Sequence, residues 1–399
     1  MSAVALGYPV PTLLNWRREY NRPAWHFAGS HIAKLESLLG AIDALLDDGG
    51  SGDARHDDLA VLVDAYDVWF QLPPDVLVQR YHQINREADE RNRNTWRNFT
   101  RAGEEETVFP VPPPRQDIVV SAAKDCFPDG SSGSDPHYAH WPPSPMPPDM
   151  YGAGTDSVPF SLDPARKYRK VRPRCVNSGM IMGTMGALRQ ALRRCRDKVD
   201  RVAMDGRQLW SDQALLAEED GAFVKPGDAA AVERASAKAG VPGPVRVHGI
   251  PPELNRSDEV PYDAAVAWGE RPLYTDLFFG TTPVGIHHNA YVGGLKPWRL
   301  KHWWGKMWYH GQLRELVARR PRPGAMAPLA KIRSGEDIVT YWASREEEEQ
   351  RKAVRVFGPL RAPGDQFTPI GWDEVCQKKG RAEKWYDELF GDGKGPLDV

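Results

Sequence analysis

Apolar residues recur with helical spacing in three stretches of the chain. After Ser30, a residue type that caps helices, apolar positions follow one another every three or four residues as far as Gly49. A second helix is predicted to start within Pro73–Asp75 and to continue through the charged segment Arg86–Arg97, and a third over Ala187–Val202. Each spacing predicts a helix with one buried face.

Short β-rich runs alternate with these helices. The runs Leu59–Val63, Asp117–Ala123 and Val176–Gly183 predict buried strands, and Pro283–Ile286 predicts a further short one. The segment Ala3–Leu14 has the composition of an opening strand that ends in a loop. Because strand and helix signals alternate in the first third, the pattern favours a parallel α/β layer.

Composition shifts divide the chain. We expect one domain over residues 1–320, in which the Pro-, Gly- and Ser-rich segment 130–163 forms a long irregular loop. Leu209–Glu218 has a helical pattern within this domain. Residues 321–399 are predicted to form a helical extension, with helices over Ser344–Val354 and Trp372–Phe390.

Overall composition narrows the class of protein. The 399 residues are 41% hydrophobic and 27% charged, which is typical of a globular enzyme-sized protein. The net charge of -2 gives no global field for nucleic acid, so no nucleic-acid partner is expected. No run of 18 apolar residues occurs, so no membrane segment is predicted. The N-terminal residues lack the charged start and cleavage site of a signal peptide.

The cysteines do not predict a zinc site, because none of them forms a CxxC pair. They are compatible with up to two disulfides or with a fully reduced chain. The four residues are Cys126, Cys175, Cys195 and Cys376.

Two carboxylates follow the predicted buried strand Leu59–Val63. Asp64 and Asp67 would stand at its C-terminal end, where ligands bind in open α/β sheets. Carboxylates there are costly unless they pair with a cation, and a hard divalent ion meets that need. The alternative is that one aspartate caps a turn and the other is solvated.

A histidine pair and a lysine come much later in the sequence. His287 and His288 follow a short predicted strand, and neighbouring side chains of an extended chain point to opposite sides, so at most one imidazole is expected to join the metal shell. The ammonium of Lys296 could offset negative charge on a diphosphate. The alternative is that the pair is structural.

Two polar motifs complete the set of candidates. Asn177, Ser178 and Gly179 could approach a sugar closely and hydrogen-bond its hydroxyls, while Asp212 and Gln213 form an acid–amide pair at the start of a helical stretch. Each motif taken singly is also compatible with an ordinary turn or cap.

The order of these motifs resembles that of glycosyltransferases with the GT-A fold. DAYDV at 64–68, AGSHIAK at 28–34 and PVGIHHN at 283–289 resemble the glycosyltransferase domain of procollagen lysyl hydroxylases, in a fungal-type branch. NSG at 177–179, DQ at 212–213 and GGLKPW at 293–298 resemble glycogenin-like and bacterial galactosyltransferase-like enzymes. The resemblance covers about residues 3–301.

The resemblance implies an α/β GT-A (Rossmann-like) fold with a mostly parallel central sheet flanked by helices. It implies Mn²⁺ or Mg²⁺ held by Asp64, Asp67 and His287. Glycogenin-like enzymes have a histidine where this chain has Ala290, so the choice of His287 follows the lysyl hydroxylase pattern. The resemblance also implies that Tyr66 stacks on the base of the donor, that Lys34 lies near the donor phosphates, and that Asn289 and Lys296 hold the diphosphate. It implies that Asn177, Ser178 and Gly179 bind the donor sugar, and that Asp212, Gln213 and Asn177 act at the reacting centre.

The function that the resemblance implies is transfer of a hexose from UDP-glucose or UDP-galactose, with retention, to a protein or glycan acceptor. Such enzymes commonly work in the lumen of the ER or Golgi, and sequons at Asn98 and Asn255 agree with that location. If no leader precedes this sequence, the alternative is the cytoplasm. Two other functions stay open: a non-catalytic domain of this fold that binds sugar or protein, and a metal-dependent phosphoesterase.

Overall fold

The chain forms a mixed α/β structure that divides into two compact units. The first unit comprises Met1–Trp16, Asp64–Arg80 and His248–Val399, and the second comprises Arg17–Val63 and Tyr81–Val247. The computed structural model describes residues 1–22, 25, 29–47, 55–101, 115–123, 126, 132–134, 175–209, 211–212, 271, 273–274, 282–288, 295–318, 328–334, 337–343, 354–362, 365–375, 382–395 and 397.

Helices and strands are interspersed along the described residues, with several strands following one another directly. The helices are α1 (Ser2–Ala5), α2 (Gly29–Asp47), α3 (Pro74–Arg101), α4 (Met185–Met204), α5 (Leu295–Trp303), α6 (Leu313–Ala318), α7 (Trp372–Val375) and α8 (Ala382–Phe390). The strands are β1 (Thr12–Leu13), β2 (Leu59–Val63), β3 (Val68–Phe70), β4 (Ile118–Ala123), β5 (Cys175–Thr184), β6 (Gly285–His287), β7 (Ala330–Ser334), β8 (Asp337–Tyr341), β9 (Val354–Phe357) and β10 (Phe367–Ile370).

The second unit is built on a three-stranded sheet in the order β2-β5-β4. Helices α2 and α4 contact one another, and Arg189 of α4 donates to Asp43 of α2 at 2.5 Å. Thr184 ends β5 and caps α4, because its hydroxyl accepts the N–H of Ala187 at 3.3 Å. The helices and strands predicted over these residues are therefore confirmed in type and approximate extent.

The direction of these strands differs from the expectation of a mostly parallel central sheet. Both pairings, β2 with β5 and β4 with β5, are antiparallel. Strands β2 and β4 run in the same direction, as alternation with helices predicts, but β5 lies between them with the opposite direction. A mixed α/β class is thus established, whereas the mostly parallel sheet is not confirmed.

Antiparallel pairs also dominate the first unit. Strand β3 pairs with β6, β7 with β8 and β9 with β10, all antiparallel, while β1 runs parallel to β9. The predicted opening strand over Ala3–Leu14 is wrong for its first half. Ser2–Ala5 forms a helical turn in which Ser2 and Ala5 are buried, and the hydroxyl of Ser2 accepts the N–H of Phe70 at 3.1 Å.

The C-terminal part of the chain contains strands as well as helices, whereas the sequence predicted a helical extension. Strands β7 to β10 precede α7 and α8, which lie within the helix predicted over Trp372–Phe390; residues 376–381 between them lie outside the described residues. Arg314 of α6 donates to both carboxylate oxygens of Asp392, at 2.6 and 3.0 Å, just beyond α8. The domain boundary at residue 320 stays a prediction.

Several other expectations fall outside the described residues. These are the irregular loop over 130–163 except for residues 132–134, most of the helix predicted over 209–218, and residues 344–353 of another predicted helix. Among the described helices, none is long and apolar enough to cross a membrane.

A disulfide links Cys126 to Cys175 at the start of β5, with their Cα atoms 5.3 Å apart. Cys195 is buried within α4, and Cys376 lies outside the described residues. The sequence was compatible with up to two disulfides or with a fully reduced chain, and the structure has one disulfide among the described cysteines.

Candidate functional site

A tight turn holds the two predicted metal aspartates close together. Strand β2 ends at Val63 and β3 starts at Val68, and the residues between them form a turn closed by the N–H of Val68, which donates to the carbonyl of Asp64 at 3.3 Å. Asp64 is half-buried, with 30% of its side chain exposed, and Asp67 is buried, with 5% exposed. The turn therefore places two carboxylates at the end of a strand, as the sequence predicts.

Strand pairing brings a histidine to these carboxylates. In the antiparallel pair of β3 and β6, Val68 lies opposite His287. The N–H of His288 then donates to the carbonyl of Asp67 at 2.8 Å, which extends the pairing by one residue. A residue more than 200 positions later in the sequence is thus fixed beside the aspartate turn by backbone hydrogen bonds.

The three side chains converge. Nε2 of His287 lies 3.6 Å from Oδ2 of Asp64 and 3.5 Å from Oδ2 of Asp67. One potential ligand atom from each of the three residues lies within 4.8 Å of the others. The structure therefore brings together Asp64, Asp67 and His287; metal binding by them stays a prediction.

Lys296 reaches the same cluster from helix α5. It is the second residue of this nine-residue helix, whose first turn also contains Pro297, a residue tolerated there because it needs no N–H partner. The ammonium of Lys296 contacts Oδ2 of Asp67. Burial alone would raise the pKa of Asp67, but hydrogen bonds with His287 and Lys296 outweigh it and lower that pKa.

The charges and donor types of this cluster fit a hard or intermediate divalent ion. With His287 neutral, two carboxylates and one ammonium leave one net negative charge. Carboxylates suit Mn²⁺ and Mg²⁺, and imidazole is an intermediate ligand that Mn²⁺ accepts more readily than Mg²⁺ does. The residues present therefore fit the expected ion.

Tyr66 lies in the turn between the two aspartates and is 62% exposed. An exposed aromatic ring beside a candidate metal centre is free to stack on a planar ligand. Asn289, the other predicted diphosphate residue of this region, lies outside the described residues.

The imidazole of His288 has surroundings quite different from those of His287. It is 1% exposed and packs edge-on against Trp69, with ring centroids 4.1 Å apart, and against Trp303 at 5.8 Å. Burial, followed by the positive charge of Arg299, lowers the pKa of His288 to about 4. These surroundings favour a packing role for His288; that at most one imidazole of the pair joins the metal shell stays a prediction.

Gln71 supports the cluster and was not singled out from the sequence. Its amide donates to the carbonyls of Tyr274 and Pro283 at 3.0 and 2.7 Å, and its carbonyl accepts the N–H of Tyr274 at 2.9 Å. It is 1% exposed and directly follows β3. A lone glutamine inside the apolar run Val68–Leu72 was the available signal, because a buried amide must find partners.

A second polar cluster lies in the second unit, on β5. Asn177 and Ser178 are buried. The side-chain carbonyl of Asn177 accepts the N–H of Gly179 at 3.0 Å and the hydroxyl of Ser121 at 3.2 Å. These hydrogen bonds fix the orientation of the Asn177 amide before any ligand binds.

Lys34 joins this second cluster through Asp212. Its ammonium lies 2.5 Å from Oδ2 of Asp212 and donates to the carbonyl of Ser178 at 3.0 Å. Burial would raise the pKa of Asp212, but the charge and hydrogen bond of Lys34 outweigh it and lower that pKa. The predicted donor residue Lys34 is therefore paired with the predicted catalytic residue Asp212. Gln213 lies outside the described residues.

Comparisons of this chain with models of protein families, with curated proteins and with solved structures find no match.

Proposed function

We propose that this chain is a metal-dependent glycosyltransferase that uses a UDP-sugar. The observation that carries the proposal is the convergence of Asp64, Asp67 and His287, with ligand atoms within 4.8 Å of one another. Lys296 adds a cation on Asp67, and the exposed ring of Tyr66 stands between the two aspartates. A bound divalent ion would neutralise charge on a departing diphosphate.

Each residue of this centre has a defined part in the proposal. Asp64, Asp67 and His287 hold Mn²⁺ or Mg²⁺, Lys296 and Asn289 bind the diphosphate, and Tyr66 stacks on the uracil. Hydrogen bonds with His287 and Lys296 lower the pKa of Asp67, so this buried carboxylate stays ionised at neutral pH.

The roles in the second unit rest on the family resemblance. Asn177, Ser178 and Gly179 would bind the donor sugar, and Asp212, with Gln213, would act at the reacting carbon. The fixed amide of Asn177 and the ionised carboxylate of Asp212 support these roles, because a transferase needs such groups oriented in advance. The same proposal includes a GT-A fold and transfer of a hexose with retained configuration. It also includes a protein or glycan acceptor and a location in the secretory lumen.

Metal-dependent UDP binding is the first test. Calorimetric titration of UDP with Mn²⁺ present should show binding to the native chain and a loss of at least about tenfold in Asp64→Asn and Asp67→Asn, because each removes a charged ligand. Asp57→Asn is the matched control, since Asp57 is an exposed aspartate just before the opposite end of β2. Unchanged affinity in both site variants would reject the centre.

The histidine assignment is tested in the same titration with Mn²⁺ alone. His287→Ala should weaken Mn²⁺ binding, whereas His288→Phe should keep it, because His288 packs among indoles and offers no ligand atom in the geometry described above. A greater loss in His288→Phe than in His287→Ala would reverse the assignment.

Donor turnover separates an enzyme from a non-catalytic binding domain. We expect slow hydrolysis of UDP-glucose or UDP-galactose with Mn²⁺, and Asp212→Asn should lose it while still binding UDP, because a group that acts in the transition state changes turnover more than ground-state binding. GDP-mannose binding more tightly than every UDP-sugar would reject the donor assignment. Binding of UDP-sugars without any turnover would favour the non-catalytic alternative.

A further inference from the structure

Two cationic or potentially cationic groups meet a single oxygen of Asp67. The ammonium of Lys296 contacts Oδ2, and Nε2 of His287 lies 3.5 Å from the same atom. Only 5% of the Asp67 side chain is exposed, so little water can share its charge. The lysine therefore neutralises the more buried of the two candidate ligand carboxylates.

A divalent ion held by Asp67 and His287 would compete with the ammonium of Lys296 for the space beside the Asp67 carboxylate. The ion would have to lie within coordination distance of a carboxylate oxygen of Asp67 and of Nε2 of His287, which face each other. An ammonium on Oδ2 opposes that by charge repulsion, which is strong where water is scarce. Metal binding therefore requires Lys296 to move away from Asp67.

Lys296 has the freedom to move. Its side chain is 38% exposed, and it projects from the first turn of α5 on a flexible four-carbon stem. An anionic ligand that approaches the N-terminal end of this helix would attract the ammonium of Lys296. The N–H groups of the first helical turn would also stabilise the negative charge of that ligand.

We propose that Lys296 makes the centre selective for a divalent ion that arrives together with an anionic ligand of the diphosphate class, because such a ligand draws the ammonium from Asp67. Lys296 is then a positioning residue that couples the two binding events. The inference rests on the proposed function and adds a rule for when the metal binds. Coupling is reciprocal, so the ion must raise affinity for the diphosphate by the same factor as the diphosphate raises affinity for the ion.

The test is calorimetric titration of Mn²⁺ into the full chain, alone and with saturating UDP or inorganic pyrophosphate. In the native chain each anion should tighten Mn²⁺ binding about tenfold, which is the usual size of such a coupling. Lys296→Met should bind Mn²⁺ alone about tenfold more tightly than the native chain and should show weaker coupling, of which the direct attraction between the ion and the anion remains. Lys296→Arg should retain coupling, because it retains the charge.

Lys301→Met is the matched control. Lys301 is an exposed lysine in the last turn of the same helix, and this variant should behave as the native chain. Thermal unfolding of all variants without ligand verifies that each is folded.

The outcomes separate this inference from the proposed function. Equal or weaker Mn²⁺ binding by Lys296→Met, in a folded protein whose native form binds Mn²⁺, overturns the inference and leaves the metal centre standing. No Mn²⁺ binding by the native chain with or without an anion rejects the proposed function and the inference together. Coupling with pyrophosphate but not with UDP supports the inference and rejects the nucleotide assignment.

Discussion

At the scale of single residues, the pair formed by Lys34 and Asp212 has the largest expected energetic effect. Asp212 is 5% exposed, and its carboxylate depends on the ammonium 2.5 Å away. Lys34→Met leaves that charge buried without its closest partner, so we expect the free energy of unfolding at pH 7 to fall by about 3–5 kcal/mol. Denaturant titration measures the change.

The double variant Lys34→Met/Asp212→Leu is the control, because it removes both charges and should recover most of the loss. The pH dependence supplies a second readout. Since the pKa of Asp212 is lowered in the fold, its contribution to stability is present above the unfolded value of about 3.9 and is lost as the pH falls through the lower folded value. Without Lys34, burial alone raises the pKa of Asp212, so the difference between the native chain and Lys34→Met should shrink as the pH falls from the raised pKa of the variant to the lowered pKa of the native fold. A constant difference would contradict the assigned pairing.

The sequence identified the residues of both clusters better than it identified their contacts. Asp64 and Asp67 could be placed at a strand end because a run of five apolar residues precedes them. That Lys34 would meet Asp212 and that Lys296 would meet Asp67 could not be predicted, because each contact depends on the packing of elements far apart in sequence. Residue type and local spacing predict candidates, whereas tertiary packing selects their partners.

At the scale of secondary structure elements, Gln71 determines how β6 lies against β3. It is hydrogen-bonded to the backbone of Tyr274 and to Pro283, which precedes β6. Gln71→Leu would leave part-buried backbone groups without these partners, and we expect a loss of about 1–3 kcal/mol in the free energy of unfolding. Because β6 carries His287, Mn²⁺ affinity should fall as well.

Gln83→Leu is the matched control for this prediction. Gln83 is only partly buried within α3 and donates to Glu87 one turn later, so its replacement should change stability by less than about 0.5 kcal/mol. A similar effect of both substitutions would contradict a special role for Gln71.

Predictions of helices and strands succeeded where a local sequence pattern was clear. They failed where the direction of a strand or a tertiary contact determined the structure. The apolar periodicity of α2 and α4 and the β-rich run of β2 are local signals, and these elements are present. The direction of β5 between β2 and β4 is set by pairing with strands that are far apart in the sequence, which no local pattern encodes. The helical turn at Ser2–Ala5 depends on burial of Ser2 against Phe70.

At the scale of the whole molecule, the candidate clusters belong to different compact units. Asp64, Asp67, His287 and Lys296 are in the first unit, and Lys34, Asn177 and Asp212 are in the second. Substitutions in the two clusters can therefore be assigned separately, with metal affinity as the readout for the first and turnover for the second.

The disulfide between Cys126 and Cys175 supplies a prediction about stability and compartment. It closes a loop across a sequence separation of 49, so restriction of the unfolded chain should contribute up to about 4 kcal/mol. Dithiothreitol should lower the thermal unfolding midpoint of the native chain, and the variant Cys126→Ser/Cys175→Ser should be insensitive to it and unfold near the midpoint of the reduced native chain. Because such bonds persist in oxidising compartments, dependence on this disulfide would support work in the secretory lumen. An unfolding midpoint that dithiothreitol leaves unchanged, with thiol titration showing the bond reduced, would instead favour the cytoplasm.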